Sequence, residues 1–176
     1  DKKLIEKTLR KAAKLSDAII TTGGVSVGKA DYMKDILKKI GKVLFWKLSI
    51  KPGRPMAYGV FKTTPYFGLP GNPVAAMITF YQLVQPALKY LMGHDGYKLP
   101  ILFKARCIAT IIKRPGRMEF QRGIFTSKNG ELSVEPTPHQ GSGVLSSMSK
   151  ANCLIVLDID QKSITVGEYV NIQLME

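Results

Sequence analysis

Three short stretches place glycine beside residues suited to holding an anion: TTGGVSVGKAD at 21–31, KPGRP at 51–55 and GLPGNP at 68–73. In the first, Gly23, Gly24 and Gly28 let backbone N–H groups approach a ligand closely ahead of a helix start, and Thr22 and Ser26 add hydroxyl donors. In the second, Lys51 and Arg54 carry two cations on a stiff turn. In the third, Pro70, Gly71 and Asn72 lead into another helix, with Asn72 suited to an N-cap and Pro73 to the first helical position. One acid, Asp31, follows the first stretch. A carboxylate beside bound phosphates bridges to them through a divalent cation; equally, an acid at a helix start complements the macrodipole, worth about 0.3–1 kcal/mol. Taken singly, the stretches also read as a glycine turn, a solvated basic turn and an ordinary helix cap.

The elements that carry these loops follow from periodicity. Leu4, Ile5, Leu9, Ala12 and Ala13 lie near helical spacing, so residues 2–15 form an amphipathic helix. AIITT at 18–22 is a buried strand ended by the glycines. Met33, Ile36, Leu37 and Ile40 recur at i, i+3, i+4 and i+7 in a helix from Asp31 that Gly41 ends. VLFWKLSI at 43–50 reads as one strand, KPGRP as a type II turn, MAYGVF at 56–61 and YFGL at 66–69 as strands separated by a Thr63–Pro65 turn. The helix from Val74 to Met92 is apolar on most sides and is expected to be deeply buried, with a bend at Pro86. The strands ending at Thr22 and Ile50 are joined through one helix and therefore run parallel, and YFGL returns to the same edge. The three loops thus gather at the edge where open α/β sheets bind ligands.

Beyond Gly93-His94-Asp95-Gly96 the helical rhythm stops. ILFKARCIATII, EFQRGIFT, ELSVEP, NCLIVLD and EYVNIQLM are five strand candidates in about 80 residues, with Asn129-Gly130 a hairpin signal between two of them. A small barrel or sandwich is expected there.

The 176 residues allow one domain or two small ones. Cys107 and Cys153 stand in apolar, strand-like surroundings without metal-ligand spacing and read as buried free thiols of a reducing compartment. The net charge of +13 fits nucleic acid, an acidic surface or an anionic small substrate. It fits equally a piece of a longer protein whose acidic part lies elsewhere, as the opening on Asp1 suggests. Most aromatics occupy strands instead of interleaving with basic residues, which argues against a nucleic-acid module. No run is long enough to cross a bilayer. Lone His94 and His139, in linker and loop, read as solvent-facing.

TTGGVSVGKADY, FWKLSIKPGRPMAYG, FGLPGNPVAAMITFYQLVQP, GRMEFQRG, HQGSGVLSSMSKANCLIVL and VGEYV, in that order, resemble the molybdopterin molybdenumtransferases, the MoeA and gephyrin E-domain family. The resemblance implies an α/β fold: a partial MogA-like three-layer α/β domain over residues 1–93, lacking its first strand, then a small all-β, barrel-like domain over 98–176. It implies insertion of molybdenum from molybdate into adenylylated molybdopterin, with Mg2+-dependent release of AMP in the cytoplasm and turnover only in the longer parent protein. Asp31 matches the acid that helps hold Mg2+, and Lys51 and Arg54 match a basic pair in which Arg replaces the commoner Lys, keeping charge but donating as a fork. Arg122 and Ser142 match positions used from the terminal domain; without the resemblance they read as a strand-surface arginine and a loop serine. It further implies a homodimer and a molybdopterin adenylyltransferase as a possible partner, with no nucleic acid and no membrane. Two other functions are compatible: a gephyrin-like peptide-binding scaffold, and the adenylyltransferase itself, against which the added barrel argues.

Overall fold

A computed structural model describes residues 1–25, 32–94 and 100–175. The chain divides into two compact units, Asp1–Leu48 with Gly53–Asp95, and Ser49–Pro52 with Gly96–Glu176.

In the first unit, α1 (Lys2–Leu15) is capped by Asp1, whose carboxylate accepts from the N–H groups of Lys3 at 2.7 Å and Leu4 at 3.2 Å. The strands are β1 (Ile19–Thr22), β2 (Lys42–Lys47), β4 (Pro55–Phe61) and β5 (Thr64–Leu69), with α2 (Tyr32–Ile40) between the first two. The sheet order is β1-β5-β4-β2. β1 and β5 pair in parallel, and β4 runs antiparallel to both β5 and β2. β1 and β2 therefore share a direction, as expected, but β5 and β4 lie between them.

Side chains along the central strands alternate between two cores, as the period of a strand requires. Ala57, Phe61 and Tyr66 pack with Leu9, Ile36 and Leu37 of the α1–α2 layer. Met56, Phe67 and Leu69 face the other way and pack with Val84 and Phe80. Helix, sheet and helix thus make three layers.

The strand expected over 43–50 is broken. β2 ends opposite Pro55, which has no N–H and closes the ladder at the Lys47–Pro55 pair. The chain then enters the second unit as β3 (Ile50–Lys51). The turn expected over Thr63–Pro65 is tighter, at Lys62-Thr63, with Lys62 at φ +55° and Thr64 and Pro65 already in β5.

The long apolar helix also departs from expectation. It consists of α3 (Pro73–Thr79), a π-helical turn (Phe80–Val84) and α4 (Gln85–Leu91). Pro86 cannot donate, and its ring crowds the preceding turn. The wider turn just upstream absorbs this, with the Gln85 N–H donating to the Phe80 carbonyl. Burial stops at Val84: no residue of α4 is fully buried, and Tyr90, Leu91 and Met92 are exposed.

The second unit contains β6 (Phe103–Cys107), β7 (Met118–Lys128), β8 (Glu131–Pro136), a short α5 (Ser146–Lys150), β9 (Cys153–Leu157) and β10 (Tyr169–Leu174). All five expected strands are present, and α5 is the element that periodicity missed. The order β7-β8-β6-β10-β9 closes because β7 also pairs with β9, making a five-stranded barrel. Its interior holds Ala105, Ile111, Val134, Ile155, Leu157 and Ile172. Asn129 and Gly130 turn the β7–β8 hairpin with φ of +52° and +81°, the paired left-handed geometry of a type I′ turn. β3 joins the start of β7, pairing Lys51 with Glu119. No helix among the described residues is long and apolar enough to cross a membrane.

Candidate functional site

In the first unit the register of β1 against β5 sets the geometry. Thr22 pairs with Leu69, so both strands end at one level and their loops leave side by side. The Gly23 N–H donates to the Leu69 carbonyl at 3.0 Å, extending the ladder one residue into the loop. Gly23 and Gly24 then take φ of +79° and +70°, a left-handed pair that side chains rarely adopt. The two loops touch through bare backbone: a Cβ placed on Gly71 would lie 3.4 Å from the Gly23 Cα.

Val25, 1% exposed, anchors the first loop on β5, and it fits only because residue 68 is glycine. A Cβ there would come within 2.6 Å of the Val25 side chain. Pro70 is buried, whereas Thr22, Gly24 and Gly71 are exposed. Asn72 caps α3, its side-chain oxygen facing the Ala75 N–H and its carbonyl accepting from Ala76 at 2.8 Å. Thr22, Gly23, Gly24, Pro70, Gly71 and Asn72 are therefore brought together, forming a strip of small residues and backbone N–H groups at the carboxyl ends of parallel strands.

Arg54 lies at the same sheet edge, immediately before β4, with its carbonyl accepting from the Leu48 N–H at 3.0 Å. β4 is two strand positions from β1, about 10 Å. Its guanidinium is exposed and has no partner among the described residues. Ser26, Gly28 and Asp31 lie outside the described residues. Among the described residues no group of three His, Cys, Asp or Glu side chains is placed to hold a metal ion.

Lys51 belongs to the second unit. It follows Ile50 in β3 and precedes a cis peptide bond to Pro52. Its ammonium donates to both oxygens of Glu119, at 3.3 and 3.2 Å. The acid is nearly buried and the lysine half exposed.

Arg122, which reads from sequence as an accessible strand residue, is completely buried. Its Nε donates to Ser147 Oγ at 3.1 Å, and its Nη2 donates to the carbonyls of His139 and Gly141, each at 3.2 Å. Gln140 clamps the same position: its oxygen accepts from the Arg122 N–H, and its amide donates to the Arg122 and Thr137 carbonyls. These contacts fix the loop that carries half-buried Ser142. Arg122 Nη1 is buried and unpartnered among the described residues, and burial lowers the pKa of the guanidinium.

Sequence reasoning did not find Glu119, Gln140 or Ser147 as contributors. Glu119 stands inside GRMEFQRG and Gln140 inside HQGS, so the motifs contained the signal without revealing the contacts. Cys107 and Cys153 are free and buried, and His94 and His139 are exposed. Burial pushes the Cys153 thiol up to about 12. It raises Cys107 as well, with Glu168 adding to the effect.

Comparison with known proteins agrees with this architecture. Residues 1–90 match a family described as a probable molybdopterin binding domain, and residues 104–175 match the MoeA C-terminal region, domain IV. A molybdopterin molybdenumtransferase of Haemophilus influenzae is 44% identical over 169 residues, 96% of this chain and 42% of that protein. The molybdenum cofactor synthesis protein cinnamon of Drosophila melanogaster is 33% identical over 153 residues, 86% of this chain and 26% of its own length. The chain thus spans less than half the length of these relatives. Among solved structures, a molybdopterin biosynthesis MoeA protein from Pyrococcus horikoshii superposes with TM-score 0.77 at 26% identity, covering all of this chain and 41% of that one. A molybdenum cofactor biosynthesis protein from Pyrococcus furiosus gives TM-score 0.74 at 28% identity. With a molybdopterin-binding domain followed by the MoeA C-terminal barrel, the chain belongs to the MoeA family.

Proposed function

We propose that this chain is the part of a molybdopterin molybdenumtransferase that receives adenylylated molybdopterin, serving the insertion of molybdenum from molybdate with release of AMP. The carrying observation is the Gly23–Gly71 contact at the ends of parallel β1 and β5, an all-glycine meeting point at a sheet edge suited to a pyrophosphate. Thr22, Gly24 and Asn72 border it, and Ser26 and Gly28 continue the same loop in sequence. Arg54 neutralises phosphate charge. Lys51 is assigned to the molybdate oxyanion, and so is Ser142, on the loop that buried Arg122 holds through the His139 and Gly141 carbonyls. Preorganised charge of this kind is a main source of rate enhancement where anions react. Mg2+ is included through Asp31, which would hold the ion, and the ion would supply charge neutralisation at the pyrophosphate.

A homodimer, supply of substrate by an adenylyltransferase, and a reducing cytoplasmic setting complete the reading. The free buried thiols support the last of these.

The test places the chain in a complete molybdenumtransferase, supplied with adenylylated molybdopterin, molybdate and Mg2+. AMP release is expected to fall by about a hundredfold in Asp31→Ala; release at the wild-type rate overturns the metal assignment. The 176-residue chain alone is expected to bind the pterin without turning it over.

A further inference from the structure

Glu119 is 3% exposed, yet it sits at the start of β7 directly opposite Lys51 in the β3–β7 ladder. It is held from two sides. Lys51 Nζ donates to both its oxygens, at 3.3 and 3.2 Å. Gln121 Nε2 donates to Oε2 at 3.2 Å and is itself fixed on the Ile112 carbonyl at 2.8 Å. The carboxylate therefore cannot swing away when something approaches Lys51. The lysine side chain is 51% exposed, so its outer side remains open to solvent while its inner side is occupied. An ammonium has three donors, and two contacts here go to one buried acid.

Packing alone does not call for this arrangement. A buried ion pair is weak evidence for stability, because an apolar residue of similar volume often serves as well. Its electrostatic effect is definite, however. An oxyanion reaching Lys51 meets a cation already answered at 3.2 Å by a fixed negative charge. We propose that Glu119 is an internal counter-ion that attenuates Lys51, setting how tightly this lysine holds an oxyanion and allowing that anion to leave. Glu119 is in this sense a positioning and tuning residue that never touches the ligand. The inference rests on the reading of Lys51 as an oxyanion ligand.

The experiment titrates the chain with molybdate by calorimetry, in wild type, Glu119→Gln, Lys51→Met and the double variant. Glu119→Gln keeps the shape and removes the charge, and is expected to tighten molybdate binding about tenfold, the effect of deleting one charge some 6 Å from a dianion in solvent. The gain is expected to vanish in the Lys51→Met background. A merely structural role would shift the unfolding temperature and leave affinity alone. Unchanged or weaker affinity in folded Glu119→Gln, a gain that survives loss of Lys51, or no molybdate binding in any variant overturns the proposal. If Lys51→Met binds molybdate as wild type does, the ligand role of Lys51 fails as well, and the two failures are told apart by that single variant. Should Glu119→Gln not fold, Glu119→Asp draws the charge back and is expected to tighten binding by about two- to threefold; no change there sinks the idea equally.

Discussion

Cys153 lies wholly inside the barrel, where the thiolate would lose its hydration, and its pKa rises from an ordinary 9.0 to about 12. The folded state therefore keeps the proton that the unfolded state releases above pH 9. Stability linked to this thiol is fully present below pH 9 and is lost as pH climbs from about 9 to about 12, amounting to roughly 4 kcal/mol at the upper end. Cys153→Ala is expected to flatten the fall of the unfolding midpoint across that window, measured by denaturant titration at stepped pH; an unchanged slope refutes the linkage. Single residues also mark where sequence was informative. Gly23 and Gly24 announced a loop that needs left-handed backbone, and the structure uses both that way. Arg122 announced nothing of its burial, because the partners that bury it, Gln140 and Ser147, lie 18 and 25 residues downstream.

Among the elements, the β7–β8 hairpin was legible from two letters. Asn-Gly satisfies the two positive φ values that the right-handed twist of the strands demands. Gly130→Ala forces a Cβ into φ +81° with nothing nearby to clash, so the cost is the backbone conformation alone, expected at about 1 kcal/mol. Thermal unfolding of the variant checks this, and an unaltered midpoint argues against a strict turn type. The break between β2 and β3 was not legible. VLFWKLSI has uniform strand propensity, and what ends its first pairing is Pro55, on the neighbouring strand. Likewise the composition of residues 74–92 foretold an apolar helix and a bend, but not that the last turn would stay exposed, since that depends on where the sheet stops covering it.

The whole molecule has two separate cores, each with its own reporter. Trp46, the single tryptophan, packs in the first unit, and Cys153 lies in the barrel core. Tryptophan fluorescence and thiol labelling are expected to give distinct denaturant midpoints, as chains with two cores often depart from two-state behaviour; coincident curves would mean a single cooperative unit. The charge is also unevenly placed. A groove of about 540 Å³ is lined by Lys3, Lys7, Arg10, Lys11, Lys14 and Lys39 together with Glu6, and Glu6 is paired with Arg10 and Lys39. Part of the basic balance thus belongs to a helix face, separate from the glycine loops.

The passage of Ser49–Pro52 into the second unit has a consequence for synthesis. Lys51 and Glu119 are 68 residues apart, so the ribosome emits the short strand long before its partner exists. At about 5–20 residues per second the delay is roughly 3–14 s. The first sheet can form in that interval, but β3 waits as an unpaired end until the start of β7 arrives. The two units are therefore not beads made one after the other: the earlier one is released with a strand still owed to the later, and a chain truncated before residue 118 never gives that strand its place.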